Sequence, residues 1–216
     1  MEPVTLITGG SSGIGAATAR VLLKQGHRVA ITGRDADRLA AFAASAGAGE
    51  RLLTISGDAS DENHVAAAVR QVADSWDRLD TVIANAGFSL PGTLEDHDPQ
   101  AMREWAAHAL AENVRLLVAK DRIRVTLVAP GVVDTPFWDE RGGSPAAAPT
   151  LTAEQIAEAI LFAINQPEGV DINHLILRPT GQQLTRSARV RAMTRTHSAA
   201  TALCWWRATP RTVSTR

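Results

Sequence analysis

The chain has 216 residues, a formal net charge of −1, a single Cys and no Tyr. This length suits one α/β domain with ample chain for a core, and the lone Cys excludes an intramolecular disulfide. No apolar run is long enough to cross a bilayer, so a soluble protein with no membrane partner and a cytoplasmic location is expected. In chain order, Val4 to Thr8 is a short β-rich run feeding a Gly-rich loop, Thr8-Gly9-Gly10-Ser11-Ser12-Gly13-Ile14-Gly15. Ala16 to Gln25 follows with apolar residues at helical spacing, closed by Gly26.

His27 to Thr32 predicts a second strand ending at Gly33-Arg34, Ala36 to Ala46 a helix, and Arg51 to Ser56 a third strand ending at Gly57-Asp58. Asp61 caps an amphipathic helix that runs to Ser75, and Thr81 to Ala84 is a fourth strand leading into Asn85-Ala86-Gly87. Pro99 to about Lys120 predicts one long helix, with Met102, Trp105, Ala106, Ala109, Leu110, Val114 and Leu117 in phase. Arg124 to Ala129 is a strand ending at Pro130-Gly131, Thr152 to Asn165 a capped helix, and His174 to Leu177 a final strand. Strands alternating with helices predict an α/β fold of the Rossmann type, a doubly wound parallel sheet with helices on both faces.

A strand that ends in a Gly-rich turn and opens a helix offers backbone N–H groups to a pyrophosphate. Gly9, Ser11, Ser12, Gly13, Ile14 and Gly15 are the candidates for that cradle. Asp58, the Asn85-Ala86-Gly87 turn and the run Pro130-Gly131-Val132-Val133-Asp134-Thr135 all fall at strand C-termini, where an open α/β sheet binds its ligand. At the end of the second strand an acidic residue would accept hydrogen bonds from a ribose 2′-OH, whereas an Arg would pair with a 2′-phosphate. Gly33-Arg34 stands there, so NADP is favoured over NAD, with Asp35 and Asp37 diluting the field.

The spacing Thr8-Gly9, three residues, Gly13-x-Gly15, taken in order with these strand ends, resembles the short-chain dehydrogenase/reductase family. The resemblance runs from residue 1 to about 105 and from about 109 to 183. It implies that Asp58 and Asn85-Ala86-Gly87 hold the adenine and its ribose, and that Val133 and Thr135 hold the nicotinamide amide. Gly33-Arg34 and the ending Asp171 to Thr180 look like the NADP-dependent branch acting on small hydroxy acids and hydroxy amino acids. The implied reaction is hydride transfer between the nicotinamide and a carbonyl or alcohol, with a Tyr, a Lys four residues on, a Ser and a helix Asn relaying the proton.

None of that relay can be placed, and no catalytic residue is assigned. Between Trp105 and Asn113, where the resemblance leads one to expect half a helix, the Ser-bearing strand and the Tyr-x-x-x-Lys half-helix, there is room for about a turn and a half. Loss of one whole βα unit still permits a right-handed crossover, which predicts a contracted sheet of six strands with Arg124 to Ala129 beside Thr81 to Ala84. His97 and His108 are the histidines nearest that region and are expected to be solvated. Lys120, at the far end of the fused helix, is not the missing lysine.

Residues 1–183 are expected to form the domain and 184–216 a basic, poorly ordered tail. Residues 181–216 carry seven Arg and no acidic residue, while the rest holds fifteen basic and twenty-three acidic ones. The Arg residues are scattered among Ser, Thr and Ala, which fits a solvated tail and gives no reason for a nucleic-acid partner. Trp205-Trp206 beside Cys204 are its conspicuous apolar residues. A small carbonyl or alcohol is the expected partner, and the helices that commonly pair family subunits are fused, leaving a homo-oligomer open. Two readings stand beside the enzyme: a non-catalytic NADP-binding protein, and an inactive truncated product.

Overall fold

The computed structural model describes residues 2–86, 114–141, 149–181 and 203–207. Its elements are β1 (Val4–Thr8), α1 (Gly13–Lys24), β2 (Arg28–Gly33), α2 (Ala36–Ala46), β3 (Leu52–Ser56), α3 (Glu62–Trp76) and β4 (Thr81–Ala84). After residues 114–118, which are helical, come β5 (Arg124–Pro130), β6 (Val133–Asp134), β7 (Leu151–Thr152), α4 (Ala153–Ile164), β8 (His174–Leu177) and β9 (Leu203–Arg207). The main sheet has the order β3-β2-β1-β4-β9-β5-β8. β1 pairs in parallel with β2 and β4, and β5 pairs in parallel with β8, as the βα alternation requires.

All five residues of β1 are buried, and its alternate side chains serve different cores. Ile7 joins Ile31, Ile83 and Val128 beneath α1, α2 and α4, where Leu22, Phe42, Ile156 and Ile160 close one continuous core. Val4 and Leu6 join Ala30 and Val82 beneath Ala68 and Val72 of α3 on the other face. Farther along that face, Val125 and Leu127 of β5 form a separate cluster with Val114 and Val118.

Local chemistry fixes the helix ends. The carboxylates of Asp35 and Asp61 accept from the backbone N–H of Arg38 and Asn63 at the starts of α2 and α3. Thr152 and Gln155 form a reciprocal capping box on α4, satisfying two donors that a helix start leaves orphaned. At the other end of α4 the Arg124 guanidinium donates to the carbonyls of Ile164, Gln166 and Val170. Asp80, 5% exposed, accepts from the Val4 N–H at 2.8 Å and pairs with Arg78, tying the start of β1 to the turn before β4.

Two expectations are corrected. The sheet does not contract to six strands: β5 does not pair with β4, because β9 lies antiparallel between them. Ala84 faces Cys204 and Thr81 faces Arg207 on one side, while Val128 faces Leu203 and Arg124 faces Arg207 on the other. The reason lies in the backbone: β9 bonds the facing edges of both β4 and β5, whose N–H and C=O groups would otherwise stand unpaired inside the sheet. The tail therefore contributes five residues to the sheet centre, against the expectation of a segment with no packed role. Most of the predicted Pro99 to Lys120 helix, with Trp105, His97 and His108, lies outside the described residues; Lys120 is exposed.

Candidate dinucleotide site

β1 stops at Thr8 because the chain turns sharply through Gly9, at φ 66°, and Gly13, at φ 53°, conformations that L side chains rarely adopt. A Cβ on Gly9 would stand 2.9 Å from Ala86 Cα, and one on Gly10 would lie 2.5 Å from Ile31 Cβ. A Cβ on Gly15 would strike the Gly9 carbonyl oxygen. These glycines let the loop pack directly against Ile31, Asn85 and Ala86, which holds the start of α1 close to the strand ends where an open α/β sheet binds its ligand. Ser12 is the N-cap of α1 but its side chain makes no capping bond. The first-turn N–H groups of Gly13, Ile14 and Gly15 have no carbonyl four residues back to bond within the helix, and they point with the helix dipole toward the loop.

Asn85 clamps this loop. Its Nδ2 donates to the carbonyls of Thr8 at 3.1 Å and Gly9 at 3.0 Å, while its own N–H and that of Ala86 donate to Thr8 Oγ1 at 3.0 and 3.1 Å. Asn85 and Ala86 are therefore placed at the cradle, Asn85 through the loop it fixes; Gly87 lies outside the described residues.

Next along the edge, Gly57 N–H donates to the Gly33 carbonyl, which sets Arg34 and Asp58 side by side. Both are exposed. The Asp58 carboxylate accepts from the Ser60 N–H at 2.8 Å and the Ser60 hydroxyl at 2.9 Å. These two bonds, the backbone one first, hold its carboxyl below the usual range, and the charges of Arg34 and His64 act in the same direction. Asp35 is engaged as the α2 cap and pairs with Arg38 at 3.1 Å, so one of the two acidic neighbours expected to dilute the Arg34 field is already partnered.

The other half of the site follows β5. Gly131 N–H donates to the Leu177 carbonyl at 2.6 Å, Leu151 N–H to Val132, and Trp138 Nε1 to the Val133 carbonyl at 2.8 Å. The two-residue ladder of β6 and β7 pairs Val133 with Leu151. These bonds bring Thr135 to the glycine loop, where a Cβ on Gly13 would lie 3.4 Å from it. Pro130, Gly131, Val133 and Thr135 thus join the same edge as Gly9 to Gly15, Arg34, Asp58 and Asn85. Among the described residues no group of His, Cys, Asp and Glu could hold a metal ion.

A family model described as short chain dehydrogenase matches residues 3–107. Serine 3-dehydrogenase of Agrobacterium fabrum is 30% identical over 84% of this chain and 96% of its own length. The chain belongs to the short-chain dehydrogenase family. It is an oxidoreductase of that type, with the family's Rossmann-like sheet. Dehydrogenase/reductase SDR family member 11 of Mus musculus is 28% identical over 84% of this chain and 95% of its own length. Among solved structures, an alcohol dehydrogenase from Thermococcus sibiricus complexed with 5-hydroxy-NADP superposes with a TM-score of 0.75 at 24% identity. That match covers 86% of this chain and all of the other. The closed form of a serine dehydrogenase complexed with NADP+ gives 0.74 at 21% identity, over 85% of this chain and 97% of the other.

Within this candidate site of the short-chain dehydrogenase, two residues were not singled out from the sequence. Thr8, quoted as part of the loop, holds Asn85 and Ala86 through its hydroxyl. His64 of α3 lays its ring against Gly57, so closely that a Cβ there would collide with it, and its Nε2 is buried with no partner among the described residues. A His in the first turn after the Asp61 cap gives no sequence signal for that contact. Thr8, as the last residue of a strand before a glycine turn, could have been singled out.

Proposed function

We propose that the chain binds NADP(H) in preference to NAD(H) and, as a short-chain dehydrogenase, exchanges hydride with a small carbonyl or alcohol compound. The observation that carries this reading is the exposed Arg34 directly after β2, beside Asp58 and next to an Asp35 already engaged as the α2 cap. Arg34 would pair with a 2′-phosphate, the N-terminus of α1 would hold the pyrophosphate, and Val133 and Thr135 would face the nicotinamide amide. When bound, the nicotinamide supplies the hydride chemistry. The NADP complexes of the serine dehydrogenase and the archaeal alcohol dehydrogenase support the assignment by likeness of fold. A cytoplasmic location belongs to the same proposal.

The absence of Tyr from all 216 residues favours a second reading, cofactor binding with no turnover. Loss of one βα unit accounts for it. In support, the matches to the Agrobacterium relative and to an uncharacterised oxidoreductase of Staphylococcus epidermidis span 243 and 228 aligned positions but use only 84% and 82% of this chain. Roughly fifty to sixty positions of each relative therefore face no residue here.

Thermal unfolding with NADPH or NADH tests the binding. At a concentration 100 times the NADPH Kd, NADPH stabilises the native state by about 2.7 kcal/mol, and NADH at that same concentration, binding more weakly, should raise Tm less. An unshifted transition with both would overturn the cofactor assignment. Nicotinamide absorbance with millimolar hydroxy acids then separates the readings: turnover supports the enzyme, and binding without turnover the second reading.

A further inference from the structure

We propose that the gap between β4 and β5 is a strand-binding site whose ligand is the chain's own segment Leu203–Arg207, and that its occupancy sets the two halves of the dinucleotide site at their working distance. The second half of the proposal rests on the NADP reading above; the first does not.

β4 is bonded on one side by β1, and β5 on one side by β8. Their facing edges meet only through β9. Without it, each would present unpaired N–H and C=O groups in the middle of a sheet that is covered by helices, a costly arrangement for backbone polar groups. β9 is antiparallel to both neighbours, whereas the pairs among β1, β2, β3 and β4 and between β5 and β8 are parallel. It is therefore no part of the βα winding that builds the domain; it docks as a separate segment. The segment lies in the longest apolar run of the tail, Ala202 to Trp206, amid residues dominated by Arg, Ser, Thr and Ala. A short continuous apolar run is what a strand covered on both faces requires.

The slot divides the ligand edge. Gly9 to Gly15, Arg34, Asp58 and Asn85 lie on the β1–β4 side, and Pro130 to Thr135 on the β5 side. On the face covered by α1 and α4 a continuous core joins the two sides. On the opposite face the described core falls into two clusters, one holding Val82 and the other Val125. Position 206 is in register with both residues. With β9 absent, β5 and the residues after it would be held to the rest, among the described residues, through the core on the α1–α4 face. The contact between Gly13 and Thr135 would then be free to open.

Hydrogen exchange of the unmodified chain without cofactor is the first arm. Backbone amides of residues 203–207 should exchange slowly, together with those of β4 and β5. Exchange of 203–207 at the rate of an unstructured peptide would overturn the strand site, whatever the chain's affinity for NADPH. The second arm is Trp206→Pro in the full chain, since Pro in a central strand removes a ladder N–H. Exchange in β4 and β5 should accelerate and the NADPH Kd should rise at least about tenfold. Accelerated exchange with an unchanged NADPH Kd would overturn the coupling. If the unmodified chain binds no NADPH, the cofactor reading fails while the exchange arm still judges the strand site.

Discussion

Arg34, Gly15 and Asp58 each make one physical demand on the site, and each demand can be removed singly. Arg34→Ala should weaken NADPH binding by about tenfold or more, the worth of a charge-assisted pair of roughly 1.5–3 kcal/mol, while NADH binding changes little. Titration calorimetry with both nucleotides reads this, and equal losses for the two would remove Arg34 from the 2′-phosphate. Gly15→Ala has no room to relax, because the obstructing atom is the Gly9 backbone oxygen. It should abolish nucleotide binding and lower Tm; wild-type affinity would show that the loop is softer than its contacts imply. Asp58 should titrate below the ordinary carboxylate range by NMR, and Ser60→Ala should raise it by removing the hydroxyl bond. Because the folded value is depressed, whatever this carboxylate contributes is intact at neutral pH and is lost as pH falls through that depressed value.

The elements were legible wherever one period dominated. Val4 to Thr8, Ala36 to Ala46 and His174 to Leu177 have the ends expected from sequence; Gly9 marks the end of the first, and the Asp35 cap and Gly47 both ends of the second. The start of α4 is marked by Thr152 and Gln155, a capping box that Thr152→Ala should break at a cost of about 0.5–2 kcal/mol, read as a lower Tm. An unchanged Tm would mean that packing alone fixes this helix. The β6–β7 ladder was not legible, because two residues carry no period. β9 was not legible for another reason: its short apolar run, Ala202 to Trp206, stands alone in an Arg-rich tail, and its partners β4 and β5 lie far away in sequence. The glycine cradle was readable because it depends on local spacing. The Asn85 clamp and the His64 contact were not, because they join residues brought together only by the sheet.

At the scale of the whole molecule, the α1–α4 core makes one cooperative body of the strands on both sides of β9. Ile160 is fully buried in that core, whereas Phe162, two residues on, is 57% exposed. Ile160→Ala should cost about 2–5 kcal/mol and lower a single transition seen alike by far-UV and tryptophan signals. Phe162→Ala should cost far less, and two separated transitions for Ile160→Ala would show that the body is two units.

The placement of β9 also sets a timetable. Of the strands in the sheet, the last to be synthesised fills its middle, over a hundred residues after β4 ends. While the ribosome makes the intervening chain, β4 waits with one open edge, and a newly made β5 adds a second. Pairings so distant in sequence form slowly, and open edges invite neighbouring chains in the meantime. Yield in the cell should therefore depend on translation rate and chaperone supply more steeply than the finished protein's Tm would suggest.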